Sequence, residues 1–186
     1  MKKLLLFISI FYTSYQSFSQ TKFGYKFSIG STGVDYETYN RILNTKNGLG
    51  FSAGVFANIE AGEDFYLQPT LQLTRHTTTV SYKADLTQNQ LAYSATGTEY
   101  AINIPFNMVF KFNSVELGFG PQLNLAFASS NSFYYSLKSK FGLNFLAGYS
   151  LNEKSSIQAN YFFDFRGDDV VKKSGAYLSF MRTFGK

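Results

Sequence analysis

Apolar and polar residues alternate one for one through most of the chain, and most cleanly from Thr98 to Ala128. Tyr100, Ile102, Ile104, Phe106, Met108, Phe110 and Phe112 share one parity, against Ala101, Asn103, Pro105, Asn107, Val109 and Lys111. A period of two is the signature of a strand whose two faces meet different surroundings. The pattern restarts with Val115, Leu117, Phe119, Pro121, Leu123, Leu125 and Phe127 against Glu116, Gly118, Gly120, Gln122, Asn124 and Ala126. Asn113-Ser114 between them is predicted to be a two-residue hairpin turn. Each strand covers about 13 residues, which at about 3.3 Å per residue and a tilt near 45° projects to about 30 Å, the thickness of a bilayer's hydrocarbon core.

The same alternation predicts strands over Phe23–Gly30, about Gly48–Glu60, from about Asp64 into a Thr-rich stretch, Lys140–Tyr149, Ile157–Arg166 and about Gly175–Phe184. That makes eight, the smallest even number that closes a membrane barrel. Their connections alternate in length. Ala61-Gly62-Glu63, Asn113-Ser114 and Asn152-Glu153-Lys154 are tight, whereas Gly33 to Asn47, Ser81 to Gly97, Ser129 to Tyr135 and Gly167 to Ser174 read as longer polar loops. Antiparallel order then gathers the tight turns at one end and the loops at the other. Outer-membrane barrels share this asymmetry, with short periplasmic turns and long extracellular loops. The expected fold is all-β: an eight-stranded antiparallel up-and-down transmembrane β-barrel with both termini on the periplasmic side.

The choice of residues decides which face meets lipid. The polar parity is mostly Gly, Asn, Gln, Ser and Ala, not the Lys and Glu of a solvated surface, and the apolar parity is bulky on nearly every strand. A soluble barrel would have to turn those Phe and Leu side chains inward, and an eight-stranded lumen has no room for them. With 21 Phe, 14 Tyr and no Trp among 186 residues, the apolar content is aromatic, which suits strands better than helices.

Residues 1–19 read as a signal peptide, with a mature barrel domain over 20–186. Lys2 and Lys3 open it, Leu4 to Tyr12 form a short apolar run, and Ser17-Phe18-Ser19 supplies small residues for cleavage. The expected location is the bacterial outer membrane, reached by export, with membrane lipid and the barrel-assembly machinery as partners. No Cys is present, so stability comes from the sheet and not from disulfides. A formal charge of +5 spread without a basic stripe excludes a nucleic-acid footprint.

Several segments resemble the PorT-like family of outer-membrane β-barrel proteins. They are Phe65-Tyr66-Leu67-Gln68-Pro69, Tyr100-Ala101-Ile102-Asn103-Ile104-Pro105, Gly118-Phe119-Gly120-Pro121, Phe141-Gly142 and Ala147-Gly148-Tyr149. Thr70 stands where that family commonly carries an acidic residue, and two residues follow Phe184. The resemblance implies a fold and a location and carries no catalytic motif.

Candidate chemistry is sparse. His76, the one histidine, lies beside Thr78, and a lipid-modifying barrel enzyme would use such a His with a hydroxyl and a carboxylate. Parity puts His76 inward with Gln72 and Thr74, away from lipid. No cofactor or metal is expected, because a lone His without Cys supplies no first set of ligands. The chain is therefore expected to be no enzyme but a structural or binding barrel with a side-chain-filled lumen, acting through its extracellular loops on an extracellular or envelope protein; a small diffusion pore is the remaining alternative. Tyr36, Tyr39, Tyr134 and Tyr135 are candidate loop-binding residues. Within the lumen the hairpin register pairs Lys111 with Glu116, which predicts an interior ion pair. Asn103 is expected to face Asn124, with Lys26, Gln68, Asp164 and Arg166 extending the polar packing.

Overall fold

The computed structural model describes residues 21–36, 43–82, 93–130, 139–165 and 171–184; the expected signal peptide lies outside them. Eight antiparallel strands form one closed ring: β1 (Thr21–Tyr36), β2 (Leu43–Glu60), β3 (Phe65–Tyr82), β4 (Tyr93–Phe112), β5 (Val115–Ser129), β6 (Ser139–Ser150), β7 (Ser155–Asp164) and β8 (Val171–Thr183). Each strand pairs with its neighbour in sequence, and β8 returns to β1 with Gly24 opposite Thr183 and Tyr36 opposite Val171. At that seam the Phe184 amide donates to the Phe23 carbonyl at 2.6 Å, and the Tyr25 and Phe184 rings sit 5.7 Å apart. Closure of this kind leaves no unpaired strand edge, which is what a sheet needs in a medium without hydrogen-bonding solvent.

The three tight turns lie at one end, as the connection lengths predict. Asn113 has φ 56°, the one positive φ outside glycine among the described residues, as a two-residue hairpin turn requires at its first central position. Asparagine tolerates that left-handed backbone better than most residues. Phe112 faces Val115 across the turn and Lys111 faces Glu116, the register that the alternation requires. At the β6–β7 turn the Asn152 side-chain oxygen accepts from the amides of Lys154 and Ser155, at 3.0 and 2.9 Å, so the side chain stands in for a backbone turn.

The other end departs from the sequence expectation. Strands run well into the segments read as loops: β1 continues to Tyr36, β2 begins at Leu43, β3 reaches Tyr82, β4 begins at Tyr93 and β8 begins at Val171. The Thr-rich stretch after Leu73 is strand throughout. Its outward side chains pair with those of β4, Thr79 Oγ1 with Thr96 Oγ1 at 2.9 Å and Ser81 Oγ with Ser94 Oγ at 3.0 Å. Hydropathy alternation ends where both faces become polar, but β-branched residues and cross-strand hydroxyl pairs carry the ladder further. Alternation therefore measured the lipid-facing band and not the strands. Irregularities in register fall between Asn47 and Gly50 on β2 and beside Tyr100 and Ala101 at the β4–β5 pair.

Facing is inverted relative to a soluble protein. Phe27, Leu73, Phe141 and Leu178 on the outside are 54–57% exposed, whereas Gln68, Asn107 and Gln158 on the inside are fully buried. A few bulky side chains do enter the lumen, among them Phe56, Tyr66, Leu146 and Tyr177. Glycine makes the space for them. A Cβ on Gly24 would lie 2.5 Å from the Phe56 ring, and one on Gly50 would lie 2.3 Å from Tyr177 Oη. The rings cover the bare backbone of these strands and compensate for its missing side chains.

Candidate functional site: the filled lumen and its two ends

Two polar networks occupy the lumen. The lower one, toward the tight turns, starts at Glu116 on β5, whose carboxylate accepts from Ser150 Oγ at 3.1 Å and from Gln158 Nε2 at 3.3 Å. Gln158 in turn accepts from Lys26 Nζ at 3.5 Å, and Lys26 donates to Asn160 Oδ1 at 3.0 Å. Asn160 continues through Ser179 to Ser28. One amide on β7 thus couples an ammonium on β1 to a carboxylate on β5. Tyr66, Val109 and Leu146 pack as a small apolar cluster at the same end.

The expected Lys111–Glu116 interior ion pair does not form. The two are register partners, but Lys111 is exposed, and the ion pairs seen between two described residues are Lys22–Glu60 and Lys173–Glu99. At the mouth of the barrel the long lysine stem carries the ammonium out to water, which avoids its desolvation. Glu116, at the same register but turned inward and 6% exposed, is satisfied by neutral donors. Asn103 does face Asn124 in register, yet each bonds elsewhere: Asn103 donates to Thr74 at 2.9 Å and Asn124 to Asp164 at 3.4 Å. Gln68 donates to Asn58 at 3.0 Å. Arg166 lies outside the described residues.

The upper network is built on Glu99. His76, directly opposite on β3 and 1% exposed, places Nε2 3.7 Å from its carboxylate, and Lys173 from β8 donates to the same oxygen. Asp164 on β7 stands in the field of Lys173 and Lys140. Parity turns His76 inward, as the structure has it, but marks neither Glu99 nor Lys173 as its neighbours. Glu99 could have been found by carrying the β3–β4 register through the Thr-rich stretch; Lys173 sat in a segment read as loop. No group of three or more His, Cys, Asp or Glu among the described residues is arranged to hold a metal. The Tyr36 side chain, Tyr39, Tyr134 and Tyr135 lie outside the described residues.

Between the networks the lumen is packed by short polar pairs, Ser52 to Gln72 at 3.0 Å and Asn144 to Asn107 at 3.0 Å among them. The space left there is about 30 Å³. A wider recess of about 150 Å³ opens at the tight-turn end, bordered by Lys111, Glu116, Tyr66 and Met181.

A closed ring of eight antiparallel strands with an apolar outside and a polar-filled inside is the fold of the small outer-membrane β-barrels. Solved structures of that class match it. Neisserial surface protein A (NspA) aligns with a TM-score of 0.55 at 18% identity, over 87% of this chain and 97% of that one. Ail, the attachment invasion locus protein of Yersinia pestis, solved in complex with the heparin analogue sucrose octasulfate, aligns at 0.50 and 19%, over 88% and 99%. The outer membrane protein OprG from Pseudomonas aeruginosa aligns at 0.50 and 14%, over 89% and 96%. At these identities the likeness is one of fold. No family model matches the chain, and no curated protein does.

Proposed function

We propose that this chain is a closed outer-membrane barrel of PorT-like type, exported by its N-terminal signal peptide, that anchors and displays its extracellular loops. The observation that carries this reading is the filled lumen: two hydrogen-bonded networks leave about 30 Å³ between them, room for about one water molecule. Such a barrel passes no solute. Its partners are outer-membrane lipid, the barrel-assembly machinery during insertion, and an extracellular or envelope protein met through loops carrying Tyr36, Tyr39, Tyr134 and Tyr135.

Catalysis has no part in this proposal. His76 has a carboxylate beside it, as a hydrolytic site needs, but Lys173 holds the same oxygen and the imidazole is sealed inside the lumen, on the far side of the sheet from any acyl chain. Purified protein in a planar bilayer tests the closed reading. No steady conductance is expected, and a stable open current from the wild type would replace the anchor with a pore.

A further inference from the structure

The mid-lumen space has a wall of unusual polarity. Lys26, 2% exposed, contributes an ammonium that donates to two neutral amide oxygens, Gln158 Oε1 and Asn160 Oδ1, so among the described residues no carboxylate neutralises it directly. An ammonium has three N–H groups, which leaves one to aim elsewhere. Gln122, 3% exposed and lining the same space, has its Nε2 buried without an acceptor. Two hydroxyls add to this. Ser28 Oγ accepts from Ser179, and Thr74 Oγ1 accepts from Asn103, so the proton of each is free to point into the space. The one orphaned acceptor on this wall is Asn103 Oδ1. A buried positive charge and an unpaired amide N–H on the wall of a space of about 30 Å³ suit a small negative occupant.

We propose that this space is a binding site for a single monatomic anion, chloride in the cell, held by Lys26 and Gln122 with the Ser28 and Thr74 hydroxyls. Oxyanions such as sulfate are too large for it. The buried ammonium then has a counter-charge beside it, in addition to Glu116 on the far side of Gln158.

The test is unfolding of the refolded barrel at fixed ionic strength, with chloride or bromide replacing gluconate. The wild-type midpoint should rise with halide along a one-site saturation curve. Lys26→Met should lose the response. Gln122→Ala, which keeps the charge and removes one donor, should shift the half-saturating halide concentration upward several-fold, and it serves if Lys26→Met does not fold. A bromide-soaked crystal should carry one anomalous peak beside Lys26. A wild-type midpoint indifferent to the exchange of gluconate for halide, or bromide absent from the lumen, makes the occupant water and overturns the proposal. The outcome is independent of the conductance measurement, since a barrel that conducts can still bind the ion, and a closed one can lack it.

Discussion

Lys26 and Glu116 are coupled through a single amide: Gln158 accepts from the Lys26 ammonium at 3.5 Å and donates to the Glu116 carboxylate at 3.3 Å. The side chain carries no charge, yet it allows two opposite charges to stay inside a barrel without touching.

Removing that amide should therefore do more harm than removing a charge at the rim. Gln158→Leu strips one hydrogen bond from each ion and should lower stability by about 2–4 kcal/mol, counting each bond to a charged group at about 1.5–3 kcal/mol and allowing partial relaxation. Lys111→Gln, at an exposed position, should stay within about 0.5 kcal/mol of wild type. Urea titrations of the barrel in lipid vesicles read both. Equal losses would restore Lys111 as the partner of Glu116.

Glu99 and Lys173 should behave as a unit. Lys173→Met leaves a carboxylate that is 7% exposed without its cation and should cost about 3–5 kcal/mol, whereas Glu99→Leu combined with Lys173→Met should recover most of that loss. A double-mutant cycle by the same titration measures the coupling, and simple additivity would count against the pairing.

The outward belt sets a third expectation. Phe106 sits midway along the lipid-facing side of β4, and Phe106→Arg should cost about 2–4 kcal/mol in folding into vesicles. Glu153→Arg, on an exposed turn, should change little. Similar penalties at the two positions would mean that the aromatic face does not meet lipid.

Gly50 and Tyr177 offer a test of packing. Gly50→Ala places a methyl 2.3 Å from Tyr177 Oη and should destabilise by about 1–3 kcal/mol. Tyr177→Phe loses the 2.8 Å bond to Thr32 but vacates that spot, so the double variant should be less damaged than the sum of the two singles. Strict additivity would show that the hydroxyl is not what the new methyl meets.

Protease access reports the topology. Trypsin added to intact cells should spare Lys46, which is paired with Thr79 in the β2–β3 ladder, and also Lys154 in its tight turn; opening the periplasm should expose Lys154 alone of the two. Cutting at Lys154 from outside would invert the barrel.

How much of this the sequence could disclose depends on what each property varies with. Side-chain facing depends on position within a strand, so parity alone turned Phe106 out and His76 in, and the two-residue turn at Asn113 was enough to set Lys111 opposite Glu116. Partnership across a lumen depends on which strands the ring brings together. Lys26, Glu116 and Gln158 come from β1, β5 and β7, and no local spacing relates them. Lys111 had the right register and the wrong environment, because whether a side chain at a barrel mouth lies in or out is decided by its length and by nearby water. Hydropathy stops short of the strand ends, because Thr79 and Thr96 keep the ladder going after lipid contact stops.

The seam between β1 and β8 has a consequence for assembly. Because β8 must bond to β1, a sheet that stops at β7 carries two open edges, and each unpaired backbone group facing hydrocarbon costs several kcal/mol. Insertion strand by strand is thereby disfavoured. The two edges have to meet before the sheet is surrounded by hydrocarbon, which makes ring closure the step at which the fold commits to the membrane.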